Sequence, residues 1–288
     1  MCGRYAAAEN PDELVEVFEI EATEGEAPGG SPTAAEPDWN VAPTKVAPVV
    51  LERAVRRPAE EPDPDPDSQP GPPQIRRWLR LLKWGLVPSW SGDTAGAARM
   101  INARAETLLT ARAFRKAALV RRCLVPAGGW YEWQPSPTAL DARGKPAKQA
   151  FYMRPADGQA LAFAGIYEFW RDPMLHPDDP SAWLTSYAII TTRAEPALSA
   201  IHDRMPLALP RDAWDAWLDP ALQDADAVRA LLQPPAGGRF EALPVSNRVN
   251  SAANNGPELI RPVPPEQLHG VIDPATGELV GAGDVPLF

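Results

Sequence analysis

The chain has 288 residues and a net charge of −10 at neutral pH, which suits one large domain or two small ones with a substantial core. It has no apolar run long enough for a membrane span, and its N-terminus lacks the basic and apolar regions of a secretory signal. Its only cysteines, Cys2 and Cys123, form no CxxC motif, which argues against a disulfide framework or a structural zinc site. We therefore expect a protein of a reducing cytoplasm with no structural metal and no membrane partner.

The basic residues are concentrated in one stretch, which we call the basic segment (residues 76–122). Its eleven Lys and Arg residues are opposed only by Asp93 and Glu106, so it carries +9 and the rest of the chain −19. A concentration of this kind is typical of a phosphate-binding surface, although the same residues could instead pair with the acidic remainder. The eleven are Arg76, Arg77, Arg80, Lys83, Arg99, Arg104, Arg112, Arg115, Lys116, Arg121 and Arg122.

The first predicted element is a helix over residues 10–20. Asn10 can cap it, Pro11 suits its first position, and Glu13 can reach back to the cap. The following elements are predicted as a loop at 22–38, a strand at 46–51, a disordered acidic, Pro-rich insertion at 56–74, and a strand at 75–84.

Strands dominate the rest of the chain. A helix-forming stretch at 105–119 precedes strands at 123–126, 151–154, 161–167 and 187–191, with Pro- and Asp-rich connections at 135–148 and 172–182. Amphipathic helices at 211–218 and 224–232 and a strand at 240–245 complete it. Because the strands are not regularly interleaved with helices, we predict an α+β fold: a mainly antiparallel β core, barrel- or sandwich-like, with peripheral helices. We expect one domain over residues 1–262 and a loosely ordered tail at 263–288.

Cys2 directly follows the initiator Met1. Removal of Met1 would expose a 1,2-aminothiol, whose amine (pKa about 7.7–8.0) and thiol (about 8.5) are both partly nucleophilic near neutral pH. Such a group can attack an acyl carbon through sulfur, or condense with an aldehyde through a Schiff base to a thiazolidine. The alternative is a cysteine that stands in a frayed terminus by chance.

The basic segment contains two further candidate groups. Trp90 lies among turn residues and is a candidate platform for base stacking, whereas Trp84 reads as a core residue. Asn102 and Arg104 are two apart and share a face if the backbone is extended; Arg can fork onto phosphate, and Asn can orient a reacting group. Asn102 could instead cap a following helix.

Two acid–base candidates lie outside the basic segment. Glu132 lies among aromatic residues, where burial would raise its pKa, although it could equally face solvent from a strand. His202 is one of three histidines and has charged neighbours, which favours a functional role. No group of His, Cys and carboxylates has metal-ligand spacing.

Six motifs in series resemble those of the SOS-response-associated peptidase family, also called abasic-site processing proteins. The resemblance covers roughly residues 1–262 and is specific because the motifs occur together in order. The motifs are Met1-Cys2-Gly3-Arg4, Asn40-Val41-Ala42-Pro43-Thr44, Trp84-Gly85 with Pro88 and Trp90, Ile101-Asn102-Ala103-Arg104 with Glu106-Thr107, Glu132-Trp133, and Ile201-His202-Asp203-Arg204 with Pro206.

The resemblance implies a single domain of that family in the bacterial cytosol or nucleoid, with no cofactor and with a site built on Cys2. It implies that mature Cys2 bonds covalently to the aldehyde of an abasic site in single-stranded DNA, giving a thiazolidine that shields the lesion, and that Met1 is removed autocatalytically. Asn102 would position the Cys2 terminus, Glu132 would be the acid/base, and His202 would assist the Schiff-base stage. The residues implied to line the DNA path are Arg4, Asn40, Pro43, Trp90, Arg104, Arg112, Trp133 and Arg204.

Three other functions stay open from the sequence. A class II glutamine amidotransferase also begins with Met-Cys-Gly, but it needs an ammonia-accepting domain and leaves the basic segment without a role. A cysteine peptidase that acts on other proteins is the second, and a non-catalytic single-strand binding module, which would not need Cys2, is the third. We expect a monomer whose partner is single-stranded DNA with abasic sites; crosslinking to such DNA separates the four functions.

Overall fold

The computed structural model describes residues 2–23, 36–54, 74–234, 237–268 and 270–281. The predicted removal of Met1 and nearly all of the predicted insertion at 56–74 lie outside the described residues, as does the end of the tail. No helix among the described residues is long and apolar enough to cross a membrane.

The described residues form fifteen strands and four α-helices. The strands are β1 Tyr5–Ala7, β2 Ala22–Thr23, β3 Asp38–Val41, β4 Val46–Ala54, β5 Ile75–Trp84, β6 Asn102–Arg104, β7 Arg122–Ala127, β8 Gly129–Leu140, β9 Pro146–Pro155, β10 Leu161–Arg171, β11 Trp183–Arg193, β12 Arg204–Pro206, β13 Phe240–Val245, β14 Val271–Ile272 and β15 Leu279–Val280. The helices are α1 Pro11–Val17, α2 Arg115–Val120, α3 Trp214–Leu218 and α4 Ala225–Leu231.

Five of these strands close into a barrel. Strands β5, β4, β7, β10 and β11 are neighbours in that order, and a parallel pairing of β11 with β5 (Tyr187 with Trp84) closes the ring. Strands β6 and β12 extend from β11, and β2 pairs with β5. Apart from the pairings of β11 with β5 and β6 and of β2 with β5, the pairings are antiparallel, so the predicted α+β fold with an antiparallel β core is confirmed.

The second sheet has the order β13-β9-β8-β1-β3 and is antiparallel throughout. Its inner face packs on the barrel in one core that contains Cys2, Tyr5 and Trp130 with barrel residues such as Phe163. The hydroxyl groups of Tyr5 and Tyr187 meet at 2.5 Å, which joins β1 to the barrel strand β11. Cys2 and Tyr5 are therefore held where the second sheet packs on the barrel.

Most predicted elements appear close to their predicted bounds. Strands β5 and β13 match the predicted ranges, and α1 begins as expected, with the Asn10 side chain accepting from the Asp12 N–H and Pro11 in the first turn. The helix-forming stretch predicted at 105–119 is confirmed only at its end: a short 3-10 turn and a loop precede α2. The Thr110 hydroxyl donates to the Thr107 carbonyl, one of the local bonds by which threonines compete with helix.

The predicted connection at 135–148 is also wrong, because β8 runs to Leu140 and β9 starts at Pro146. Polar residues of β8 hide the strand pattern in the sequence, yet they are buried with partners. Gln134 donates to the carbonyls of Ala200 and Ile272, and Ser136 donates to the carbonyl of Gly270. These bonds also pack part of the C-terminal segment, predicted to be loosely ordered, against β8. The domain boundary at residue 262 stays a prediction.

Candidate functional site

Cys2 lies where the two sheets meet. The Tyr131 N–H donates to the Arg4 carbonyl at 3.0 Å, which continues the pairing of β1 with β8 toward the N-terminus. Cys2 is fully buried, and its Sγ lies 3.7 Å from the Arg4 carbonyl oxygen. Cys2 is therefore fixed in the core and does not belong to a frayed end.

The protonation state of the Cys2 thiol differs from the sequence-based expectation. Burial, together with the nearby Glu132 carboxylate, raises the pKa of the Cys2 thiol well above its usual value. The thiol is therefore neutral at neutral pH in this environment, and it needs a base to become a nucleophile.

Asn102 holds the backbone of Cys2. Strand β6 runs beside β11, with Asn102 opposite Ile189, and the Asn102 Nδ2 donates to the Cys2 carbonyl at 2.7 Å. Asn102 does not cap a helix, since the residue before the following 3-10 turn is Arg104. The Asn102 Oδ1 is buried and has no hydrogen-bond partner among the described residues, so this oxygen can accept from a group that enters beside Cys2.

Gly85 determines where β6 lies. Its φ is +116°, and a Cβ there would lie 2.6 Å from the Ala97 carbonyl oxygen, so only glycine fits. The turn lets Leu86 N–H donate to the Met100 carbonyl and the Trp84 indole donate to that of Ile101. Trp84 itself is fully buried, as predicted.

Glu132 lies on β8 and is 3 % exposed, so the alternative of a solvent-facing glutamate is wrong. Burial raises the pKa of its carboxyl group to about 7. A carboxyl group with this pKa can both donate and accept a proton near neutral pH.

His202 lies in the turn before β12, with 30 % of its side chain exposed. Its Nδ1 accepts from the Arg204 N–H at 3.0 Å, which leaves the proton on Nε2 in the neutral ring. Burial lowers the pKa of the imidazole, and the Asp203 carboxylate, 3.0 Å from Nδ1, opposes that shift. The ring is therefore neutral at neutral pH.

Glu132 and His202 border a cavity of ≈ 490 Å³ that opens to solvent. It is lined by Glu132, Trp133, Lys148, His202 and Asn250. Lys148 and Asn250 were not expected from the sequence. Lys148 lies in a stretch that was predicted to be a connection, and Asn250 lies far along the chain from every motif. Among the described residues, no group of three His, Cys, Asp or Glu side chains is arranged to hold a metal ion.

Trp90 and Arg112 form an exposed pair outside this cavity. Trp90 is 56 % exposed, and the Arg112 guanidinium lies 4.8 Å from the centre of its ring. The loop is fixed by the Trp170 indole, which donates to the Ser91 carbonyl at 2.7 Å. The Trp90 indole is therefore exposed on an ordered loop, as a stacking platform requires.

The basic segment divides into two groups. Three of its members in and beside β5 and β7 have structural partners: Arg77 pairs with Glu52 and Asp215, Arg121 pairs with Glu168, and buried Arg122 donates to backbone carbonyls. Within the described ranges, five exposed members outside β5 and β7 form no ion pair, and these are Arg99, Arg104, Arg112, Arg115 and Lys116. The second group is the part available to phosphate.

Arg4 and Asn40 hold a loop in place. The Arg4 guanidinium donates to the Asn40 Oδ1 and to the carbonyls of Val249 and Asn250. The Asn40 Nδ2 donates to the carbonyls of Val249, Ser251 and Asn254. Asn40 is fully buried, and these bonds use its amide to position the loop at 249–254. Its place along the DNA path stays a prediction.

The remaining candidates lie around the same region with different exposure. Pro43 is half-buried in the turn between β3 and β4. Trp133 is half-buried, and its indole donates to the Asn250 Oδ1 at 2.7 Å. Arg204 is 14 % exposed and is forked onto Glu106 at 2.6 and 3.0 Å, so in this structure it is committed to a protein carboxylate.

The protein is a mainly antiparallel β protein whose second residue is a buried cysteine. The Asn102 amide holds its carbonyl, the Glu132 carboxyl group lies near its thiol, and Glu132 and His202 line one cavity. The family model "SOS response associated peptidase (SRAP)" matches residues 1–252, and the chain belongs to this family.

Its relatives and structural neighbours agree. The chain is 34% identical over 263 residues to "Abasic site processing protein YoqW" of Bacillus subtilis, covering 90% of this chain and 99% of that protein. It is 30% identical over 287 residues to "Abasic site processing protein HMCES" of Xenopus tropicalis, covering 90% and 77%. A crystal structure of a Bacteroides thetaiotaomicron protein has the same fold, with a TM-score of 0.69 at 20% identity and coverage of 91% and 100%.

Proposed function

We propose that this protein processes abasic sites in single-stranded DNA by forming a covalent thiazolidine with the lesion through Cys2. Two relatives across 90% of the chain are named for abasic-site processing, which supports the lesion as substrate. The observation that carries the chemistry is the Cys2 backbone, held by Asn102 at 2.7 Å, with its thiol buried beside a carboxyl group that titrates near neutral pH.

The reaction begins with maturation. Hydrolysis of the Met1–Cys2 peptide bond consumes one water, releases methionine and leaves the Cys2 α-amine free. The hydrogen bond from Asn102 to the Cys2 carbonyl fixes the residue on the retained side of that bond. We place this self-processing at the same site as the DNA chemistry.

The covalent step is a condensation that loses one water. The Cys2 amine adds to the C1 aldehyde of the ring-opened abasic sugar, and the carbinolamine loses water to give a Schiff base. The thiol then adds across the C=N bond: sulfur bonds to carbon, and its proton ends on nitrogen. The five-membered ring protects the aldehyde carbon from further reaction.

Glu132 transfers protons in these steps, and His202 donates a hydrogen bond. With a pKa of about 7, the Glu132 carboxyl group can protonate the leaving hydroxyl and, once ionised, accept the proton of the neutral Cys2 thiol. Proton uptake also removes the carboxylate charge that opposes a thiolate at Cys2. The neutral His202 ring, with its proton on Nε2, can donate a hydrogen bond to the sugar at the Schiff-base stage.

The strand is bound through exposed groups of the basic segment. Trp90, with Arg112 on its ring, replaces the stacking lost at the lesion, and Arg104 binds an adjacent phosphate. Holding the aldehyde beside the aminothiol in this way can lower the barrier by about 7–11 kcal/mol. The protein acts as a monomer, and its own residues supply every group the step needs.

Crosslinking on a denaturing gel tests the proposal. Wild-type protein should form a heat-stable adduct with an abasic single-stranded oligonucleotide and none with an intact one. Cys2→Ala should lose the adduct but bind reversibly. The matched control is Cys123→Ala, since Cys123 is the other buried cysteine and lies on β7; it should crosslink as wild type does. An undiminished adduct with Cys2→Ala would sink the assignment, and unaltered binding without any wild-type adduct would leave only a binding module.

A further inference from the structure

The cavity beside Cys2 has a cation that the basic segment does not supply. Lys148 lies on β9 and lines the cavity with Glu132, Trp133, His202 and Asn250. Its side chain is exposed, and in the part of the chain that the structure describes it forms no ion pair. A cation in this position faces whatever enters the cavity.

The strand register places Lys148 on the same face as Trp133. Lys148 pairs with Pro135 and Ala150 with Trp133, and residues two apart on a strand share a face. Glu132 pairs with Phe151 and belongs to the opposite, core-facing side. Both faces border one cavity. The pairing of β1 with β8 extends only to the bond from the Tyr131 N–H to the Arg4 carbonyl, so Glu132 and Trp133 lie just beyond it on β8.

The indole of Trp133 is held in a fixed position. Its Nε1 donates to the Asn250 Oδ1 at 2.7 Å, and the Arg4 guanidinium holds the carbonyl of the same asparagine at 3.2 Å. A fixed aromatic surface beside an exposed cation is the combination that single-stranded nucleic-acid sites use, with a base on the ring and a phosphate on the cation.

Cys2 lies between the pair Trp133 and Lys148 on one side and the basic segment on the other. Its carbonyl accepts from Asn102 of β6, which extends from the barrel and also carries Arg104. On the other side, the Arg4 carbonyl accepts from Tyr131 of β8, in the sheet that carries Trp133 and Lys148. Cations on two different sheets therefore flank the nucleophile.

We propose that Lys148 and Trp133 form a second nucleotide subsite, in which Lys148 binds the phosphodiester on the side of the lesion opposite to the one bound by Arg104. The strand then crosses Cys2 from one sheet to the other, with a phosphate anchored on each side. This subsite rests on the proposed function, since it positions the same abasic strand.

Binding measurements in a Cys2→Ala background, which cannot crosslink, test the subsite. Lys148→Gln should weaken binding about two- to fivefold, the range for an exposed ion pair. It should also reduce the slope of log affinity against log salt by about 0.7, the value for one phosphate of a single strand. Lys148→Arg should keep the slope. The matched control is Lys145→Gln, on the same hairpin but outside the cavity lining, which should change nothing.

Oligonucleotides with one neutral methylphosphonate, placed 5′ or 3′ to the abasic site, locate the contact. Lys148→Gln should lose its effect with one of the two, and Arg104→Gln with the other. An unchanged salt slope for Lys148→Gln, or coupling of both variants to the same phosphate, would overturn the proposal. Wild-type crosslinking measured in parallel separates the subsite from the proposed function. If wild type forms no adduct while Lys148→Gln reduces the salt slope as expected, only the covalent chemistry is contradicted. If wild type forms the adduct while Lys148→Gln leaves the salt slope unchanged, only the subsite is contradicted.

Discussion

The buried carboxyl group of Glu132 makes a prediction about stability that is independent of any DNA assay. Glu132→Gln keeps the size of the side chain and removes its ionisation. In the wild type, burial raises the pKa from 4.5 to about 7, whereas in the unfolded chain the group titrates at its ordinary value. Between these two values the folded state holds a proton that the unfolded state has lost.

The sign follows from this difference in bound protons. The contribution of Glu132 to stability is fully present below about pH 4.5 and is lost as the pH rises toward 7. The shift, at about 1.36 kcal/mol per pKa unit, corresponds to about 3 kcal/mol. The variant lacks this loss, so its stability relative to wild type should improve by about 2–3 kcal/mol between about pH 5 and about pH 8.

Urea unfolding at both pH values measures the effect. Glu16→Gln, on the exposed side of α1, is the control for loss of one surface carboxylate and should show little change between the two. In the same protein, crosslink formation or reversal should slow by about 10²–10⁴ while reversible DNA affinity stays nearly constant. A stability difference between Glu132→Gln and wild type that is the same at both pH values would refute the reasoning, because the carboxyl group would then titrate as it does in the unfolded chain.

Four further variants separate binding, positioning and folding. Trp90→Ala should weaken binding by about 1–3 kcal/mol without altering its salt dependence, whereas Arg112→Ala should reduce the salt slope by about 0.7; identical slopes for wild type and Arg112→Ala would place that guanidinium off the strand. Asn40→Ala should lower the free energy of unfolding by about 1–3 kcal/mol in denaturant titrations, because buried carbonyl groups lose their donor; unchanged stability would show that the amide does not hold the loop at 249–254. Gly85→Ala should cost about 1–3 kcal/mol from its positive φ alone, and a variant as stable as wild type would show that the turn relaxes.

The sequence predicts the strands best where the apolar pattern is simple. Strands β5 and β13 and the start of α1 follow from local residues, because alternation and the Asn10–Pro11 cap are local signals. The β8–β9 hairpin does not, since Gln134 and Ser136 become core residues only through carbonyls that lie far along the chain. Closure of the barrel by parallel pairing of β11 with β5 is likewise a long-range property.

The site shows the same division. The motifs identified Cys2, Asn102, Glu132 and His202, and the structure brings all four to the region where the sheets meet. A motif cannot tell whether a polar residue contacts a ligand or holds a loop, and Asn40 is the example, since only its burial shows that its amide is used internally. Nor does the basic segment reveal which arginines are already paired.

Mass spectrometry of the N-terminal peptide after reaction with abasic single-stranded DNA tests the central claim most directly. The expected peptide begins at Cys2 without Met1. Its mass equals that of the peptide plus the DNA remnant minus one water. It should form without a reducing agent, and its cysteine should resist alkylation. A remnant attached to a lysine side chain, or an adduct on Cys2 in a peptide that still carries Met1, would contradict the account, because a blocked amine cannot close the ring.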